Sequence, residues 1–156
     1  MRKKTSPPSH CRKGPSLLPA PITNPPTRWG VNKIVGFLRP LAEKGLRSVI
    51  LFGVPTVKHK DSVATLADDP EGPVIQCIKL LKKELPSLLV AADVCLCEYT
   101  DHGHCGILNE DGTINNPVSV ARIAQVALNY AKAGADCVST TPRLLGECPW
   151  LTFGDG

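Results

Sequence analysis

Nowhere in its 156 residues does the chain hold the run of about 20 apolar residues that a membrane-spanning helix requires. Its longest charge-free stretches, such as Ser48 to Val57, stop well short of that. A spanning protein is thereby excluded. The sequence also has no G-x-G-x-x-G turn, no phosphate-cradling P-loop, no H-E-x-x-H pair and no evident serine triad, so it offers none of the usual signatures of dinucleotide, nucleotide or zinc-protease chemistry. Acidic residues are missing from the first 28 positions, which carry six basic ones (Arg2, Lys3, Lys4, Arg12, Lys13 and Arg28). The other 12 basic residues face all 14 acids, a net −2, so the overall charge of +4 is a property of the N-terminal segment. Aromatics make up only 4% of the chain and none is interleaved with those basic charges, which argues against a nucleic-acid-binding arm.

What is present fits an ordinary soluble domain: 42% hydrophobic and 21% charged residues. The length suits one domain and is too short for a complete (β/α)8 barrel of about 250 residues. Residues 1–27 contain seven prolines and little apolar periodicity, and are read as a disordered or extended tail. The same prolines spoil the amphipathic helix that a mitochondrial transit peptide needs, so import is not expected.

Seven cysteines (Cys11, Cys77, Cys95, Cys97, Cys105, Cys137 and Cys148) form an odd and unevenly spaced set, without the hydrophobic core of a signal peptide ahead of them. That pattern argues against a secreted disulfide framework and for a reducing, cytosolic setting. Cys77 and Cys137 stand among apolar residues and are expected to be small buried hydrophobes. Loop carboxylates such as Asp68, Asp69 and Glu71 are expected to form a solvated turn.

Periodicity divides the chain from Trp29 onward. Val31, Ile34, Val35, Leu38, Leu41 and Ala42 predict a helix ending at Gly45, with Pro40 as a kink. Ser48 to Gly53 predicts a short buried strand. Val74, Cys77, Ile78, Leu81 and Leu85 predict a helix between Pro73 and Pro86, and Leu88 to Cys95 a second strand. A third helix, capped at Asn116-Pro117, carries the stripe Val120, Ile123, Ala124, Ala127, Leu128 and Ala131 and stops at Gly134; Asp136-Cys-Val138 opens a third strand. The order α-β-α-β-α-β with continuous apolar strands specifies an α/β fold, a parallel sheet covered by helices.

The chemistry concentrates in Asp93-Val-Cys-Leu-Cys-Glu-Tyr-Thr-Asp-His-Gly-His-Cys-Gly106. If the strand runs that far, Asp93, Cys95 and Cys97 project on one side, and the Gly103-bearing loop can fold Cys105 back toward them. Three thiolates leave the fourth tetrahedral position of a zinc ion open, the mark of a catalytic rather than a structural site. Asp93 would then serve as a carboxylate that binds an amine or moves a proton. The spacing C-x-C-x7-C lacks the paired knuckles of structural zinc sites, and the alternative stays open that the cysteines are buried strand residues while His102 and His104 are solvated loop residues.

Beyond spacing, residues Arg28 to Val138 resemble the zinc-dependent porphobilinogen synthases, or delta-aminolevulinic acid dehydratases. The resemblance rests on Trp29-Gly-Val31, Leu38-Arg-Pro-Leu41, Gly45-Leu-Arg47, Leu51-Phe-Gly-Val-Pro55, Lys60-Asp61, Leu88-Leu-Val90, the string Asp93 to Gly106, Val126-Ala-Leu128 and Tyr130-Ala-Lys-Ala-Gly134. Cysteines rather than aspartates in that string identify the zinc branch.

The resemblance implies a fragment of a TIM (β/α)8 barrel, about three parallel strands with their helices, from a cytosolic homo-octamer of haem biosynthesis. It implies condensation of two 5-aminolevulinate molecules to porphobilinogen. Cys95, Cys97 and Cys105 would hold the active-site zinc, Asp93 matches an active-site aspartate, and His104 matches a residue of a second metal site. The family's two Schiff-base lysines have no counterpart: Lys132 alone follows Cys105, on the exposed side of a helix pattern, and Lys58 and Lys60 lie in a loop. The expected organisation is a tail (1–27), a partial barrel (28–138) and a divergent end (139–156). Such a chain is expected to be inactive alone or to be a non-catalytic zinc-binding form that joins the full-length enzyme. A three-stranded parallel sheet is further expected to leave bare edges and one bare face, and so to be poorly soluble or to need a partner.

Overall fold

The computed structural model describes residues 28–56 and 59–140. The expectations for the Pro-rich tail, for Lys58 and for residues 141–156 therefore lie outside the described residues.

Helix α1 spans Val31–Glu43 and continues through Pro40; Gly45, at φ +109°, follows its cap. Strand β1 is Ser48–Leu51, a 3₁₀ turn covers Thr65–Asp68, and α2 is Pro73–Glu84, with Pro73 in its first turn, where its missing N–H costs nothing. Strand β2 is Leu89–Val94, α3 is Asn116–Lys132, and β3 is Cys137–Thr140, which includes Ser139 and Thr140. Gly134 takes φ +107°, which lets the Ala135 N–H reach back to the Tyr130 carbonyl at 3.1 Å and closes α3.

The strands pair in the order β1-β2-β3, both pairs parallel, with Ile50 opposite Ala91 and Ala91 opposite Cys137. Because side chains alternate, one face carries Leu51, Val90, Ala92 and Val94, all buried beneath α2 and α3. Ile78, Leu81, Val126 and Tyr130 supply the helical half of that core. The opposite face carries Ile50, Leu89, Ala91, Asp93 and Cys137, with Ile50 49% exposed. Parallel strands with helices on a single face make the wall of a barrel, whose inner side is the bare one.

Four sequence expectations are corrected. Cys137 is exposed, since its apolar neighbours fill the covered face while Cys137 itself points to the bare one. The cap of α3 is Asn115, whose side chain accepts from the Val118 N–H at 3.3 Å; Asn116 is already the first helical residue. Leu41 and Leu128, placed in helical stripes, are 37% and 38% exposed, because the faces that actually pack centre on Leu38 and on Val126 and Tyr130. Asp68 is no solvated carboxylate: it pairs with Arg122, the two side chains being 12% and 17% exposed. Among the described residues, no helix is long and apolar enough to cross a membrane.

Candidate metal centre

Strand β2 ends at Val94, earlier than the alternation of Asp93, Cys95 and Cys97 requires. Cys97 instead reaches its neighbours through a turn, in which the Tyr99 and Thr100 N–H groups both donate to the Leu96 carbonyl, at 2.9 and 3.0 Å. Leu96 and Tyr99 are buried inside this turn and anchor it to the core. The chain then reverses through Gly103, at φ +74°, a left-handed conformation that a glycine adopts without a Cβ clash. The buried Thr100 hydroxyl donates to the His104 carbonyl at 2.9 Å and holds the returning loop in place.

These local constraints bring three sulfurs together. The Sγ of Cys95 lies 3.1 Å from that of Cys97 and 3.2 Å from that of Cys105, and all three fall within 4.8 Å of one another. A tetrahedral zinc with Zn–S bonds of ~2.3 Å sets its sulfurs ~3.8 Å apart, so the two shorter spacings would open by about half an ångström to take the ion. The donors are half-buried and soft, and they suit a thiophilic divalent cation. The cluster sits at the C-terminal end of β2, the end at which barrels of parallel strands place their active sites.

The electrostatics point the same way. Burial raises the Cys97 thiol to about 12, aided by hydrogen bonds from Cys95 and Cys105 and by the charge of its neighbours. Burial likewise raises Cys105. Three thiolates this close repel one another, and a divalent cation turns that repulsion into attraction and releases the protons. Asp93, half-buried on the same face as Cys95, is also raised by burial, which leaves its carboxyl better able to hold a proton than an exposed aspartate.

The cysteine triad is thus assembled as the sequence suggests, with Asp93 two residues along the same face. His104 is placed differently: it is exposed, its ring stacked on that of His102 at 5.5 Å, and it is not part of the sulfur cluster. Lys132 is exposed, as its helical position predicts. Sequence reasoning missed the polar contacts that α3 makes. Arg122 donates to the carbonyls of Val63 and Ala64 at 2.9 and 2.8 Å while pairing with Asp68, and Asn129 also donates to Asp68 at 2.6 Å. Ser119, fully buried, accepts from the Ile107 N–H at 2.8 Å. The only sequence signal for these contacts was a polar residue at each of positions 119, 122 and 129 beside the apolar stripe of α3.

The family model for delta-aminolevulinic acid dehydratase matches residues 20–145. The chain is 64% identical over 121 residues to the delta-aminolevulinic acid dehydratase of Candida glabrata, covering 77% of this chain and 36% of that one. Against the Bos taurus protein of the same name it is 49% identical over 129 residues, covering 81% and 39%. Among solved structures, it is similar to the delta-aminolevulinic acid dehydratase (porphobilinogen synthase) of Toxoplasma gondii in complex with its reaction product porphobilinogen. That likeness has a TM-score of 0.70 and 26% identity, over 76% of this chain and 37% of the other. The chain thus spans little more than a third of the length of the curated relatives it matches.

Proposed function

The chain belongs to the delta-aminolevulinic acid dehydratase family, and on that premise we propose that it is the zinc-binding part of a porphobilinogen synthase barrel. The family chemistry is a lyase reaction of tetrapyrrole biosynthesis, the condensation of two 5-aminolevulinate molecules. The single observation that carries the reading is the convergence of the Cys95, Cys97 and Cys105 sulfurs within 4.8 Å at the C-terminal end of β2.

Zinc bound there by the three thiolates would supply Lewis-acid polarisation of a substrate oxygen. The chain's own residues do the rest of what this part of the site can do. Cys95, Cys97 and Cys105 would hold the ion through three thiolates, a donor set that leaves a fourth ligand position for substrate. Asp93, two residues upstream of Cys95 on the bare sheet face, would bind the substrate ammonium as a carboxylate, or accept a proton from it as a base whose pKa burial has raised. His104 would serve a second, outer metal position.

We further propose that the 156-residue polypeptide does not turn over 5-aminolevulinate unaided. An amine that attacks a carbonyl must be desolvated to lose its proton near neutral pH. Among the described residues every lysine is exposed except Lys82, which is half-buried and held by Asp136 at 2.8 Å. The same observation favours a second reading, a non-catalytic zinc-binding chain that joins octamers of the complete enzyme through its bare sheet face. Free thiols at this site require a reducing compartment, for which we propose the cytosol.

The test incubates the purified chain with 5-aminolevulinate and zinc, alone and with a complete porphobilinogen synthase, and measures porphobilinogen and bound zinc. The proposal expects about one zinc per chain, lost in Cys97→Ala, and no product from the chain alone. Equal zinc in wild type and Cys97→Ala contradicts the metal site, and product from the chain alone contradicts the claim of inactivity.

A further inference from the structure

The backbone outlier nearest the thiols points to residues that govern them from a distance. Among the described residues, Ala64 is the one non-glycine at positive φ, at 56°, and its side chain is fully buried. A left-handed alanine is strained and persists only where its surroundings hold it. Here the holder is Arg122 of α3. Its guanidinium donates to the carbonyls of Val63 and Ala64 and is itself fixed by Asp68.

The segment so held is the other wall of the sulfur loop. Asp61 turns that segment by accepting from the Val63 and Thr65 N–H groups at 3.1 and 2.9 Å. Its own carbonyl accepts from the Asp101 N–H at 3.2 Å, within a parallel bridge between Asp61 and Thr100. Thr100 in turn holds the His104 carbonyl, one residue before Cys105. On the far side of Cys105, Ser119, one helical turn before Arg122, clasps the Ile107 N–H. Its Oγ stands 2.7 Å from where a Cβ on Gly106 would lie, so only glycine allows the chain this close to α3.

We infer that Arg122 and Ser119 are positioning residues for the metal centre: Ser119 holds the stretch after Cys105 directly, Arg122 holds the 61–64 segment on which the stretch before it is paired, and together they set its sulfur against those of Cys95 and Cys97. The inference rests on the metal-site reading above. Its consequence is that the two side chains tune metal affinity and ligand geometry although neither supplies a ligand. A purely structural role would lower stability without altering the metal's own signature. The Lys82–Asp136 clasp provides the comparison, because Asp136 also bonds the Val90 N–H at 2.7 Å but lies at the opposite end of β2.

The experiment loads the full chain with Co²⁺ as a zinc reporter, records the thiolate-to-cobalt charge-transfer band, and measures zinc affinity by competition and unfolding temperature. The variants are Arg122→Lys, Ser119→Ala and Asp136→Asn. Arg122→Lys keeps the charge opposite Asp68, so it folds, but a point ammonium cannot serve two carbonyls and a carboxylate together. Expected are about tenfold weaker zinc binding and an altered cobalt band in Arg122→Lys and Ser119→Ala. In Asp136→Asn, the unfolding temperature falls while affinity and band stay at wild-type values. Wild-type affinity and band in both α3 variants would overturn the inference alone. A wild-type chain that gives no thiolate-to-cobalt band would overturn it together with the metal-site reading.

Discussion

The sulfur of Cys105 lies 3.2 Å from that of Cys95, although β2 ends at Val94, just before Cys95, and Cys105 returns from a loop ten residues later. Two loops and one helix face produce that approach. It converts a run of cysteines into a set of donors with room for one soft cation.

Soft donors prefer soft ions, so the site is expected to take Cd²⁺ in preference to zinc. Titrating Cd²⁺ into the zinc-loaded chain should release zinc and raise a sulfur-to-cadmium absorption in the ultraviolet. Cys105→Ala should lose most of that absorption, whereas Cys77→Ala should not, since Cys77 is buried under the sheet with its thiol raised to about 11.

Acid sensitivity should trace to Asp68. Burial alone would raise its pKa, but hydrogen bonds from Arg122 and Asn129, with the Arg122 charge, leave the net shift downward. A carboxylate depressed in the folded state contributes stability that is fully present above its unfolded value, about 3.9, and is lost as pH falls through the lower folded value. Asp68→Asn should therefore destabilise the chain by about 2 kcal/mol near neutral pH, between the exposed and fully buried cases. It should also flatten the loss of stability on acidification, which thermal unfolding followed from neutral to acid pH would reveal. An unchanged acid limb in Asp68→Asn would assign the sensitivity elsewhere.

The start of α3 offers a sharp comparison between neighbours. Asn115→Ala removes the side chain that accepts from the Val118 N–H and should cost about 1 kcal/mol. Asn116→Ala replaces an exposed first-turn residue and should be close to neutral. Chemical denaturation of both variants separates the two positions, and equal losses would contradict the assignment of Asn115 as the cap.

The order of elements was legible in the sequence because each rests on a local signal: Pro73 opening α2, Gly45 and Gly134 closing helices, and apolar runs at β1 and β2. The cysteine triad was legible as well, though by a motif more than by strand geometry, since β2 stops short of Cys97. What escaped depends on partners far along the chain. Asp68 looks like a turn carboxylate until Arg122, 54 residues away, arrives beside it. Cys137 looks like a core residue until the sheet's covered face proves to be the other one. Ala64 gives no sign of its left-handed backbone, because alanine is ordinarily a helix former and the conformation is imposed by the contacts around it.

The central claim is that Cys95, Cys97 and Cys105 hold one zinc ion with an open fourth position. X-ray absorption at the zinc edge of the zinc-loaded chain tests it most directly. The account predicts three sulfur scatterers at ~2.3 Å and a single light atom completing the shell. A shell of nitrogen and oxygen alone, or of four sulfurs, would contradict it.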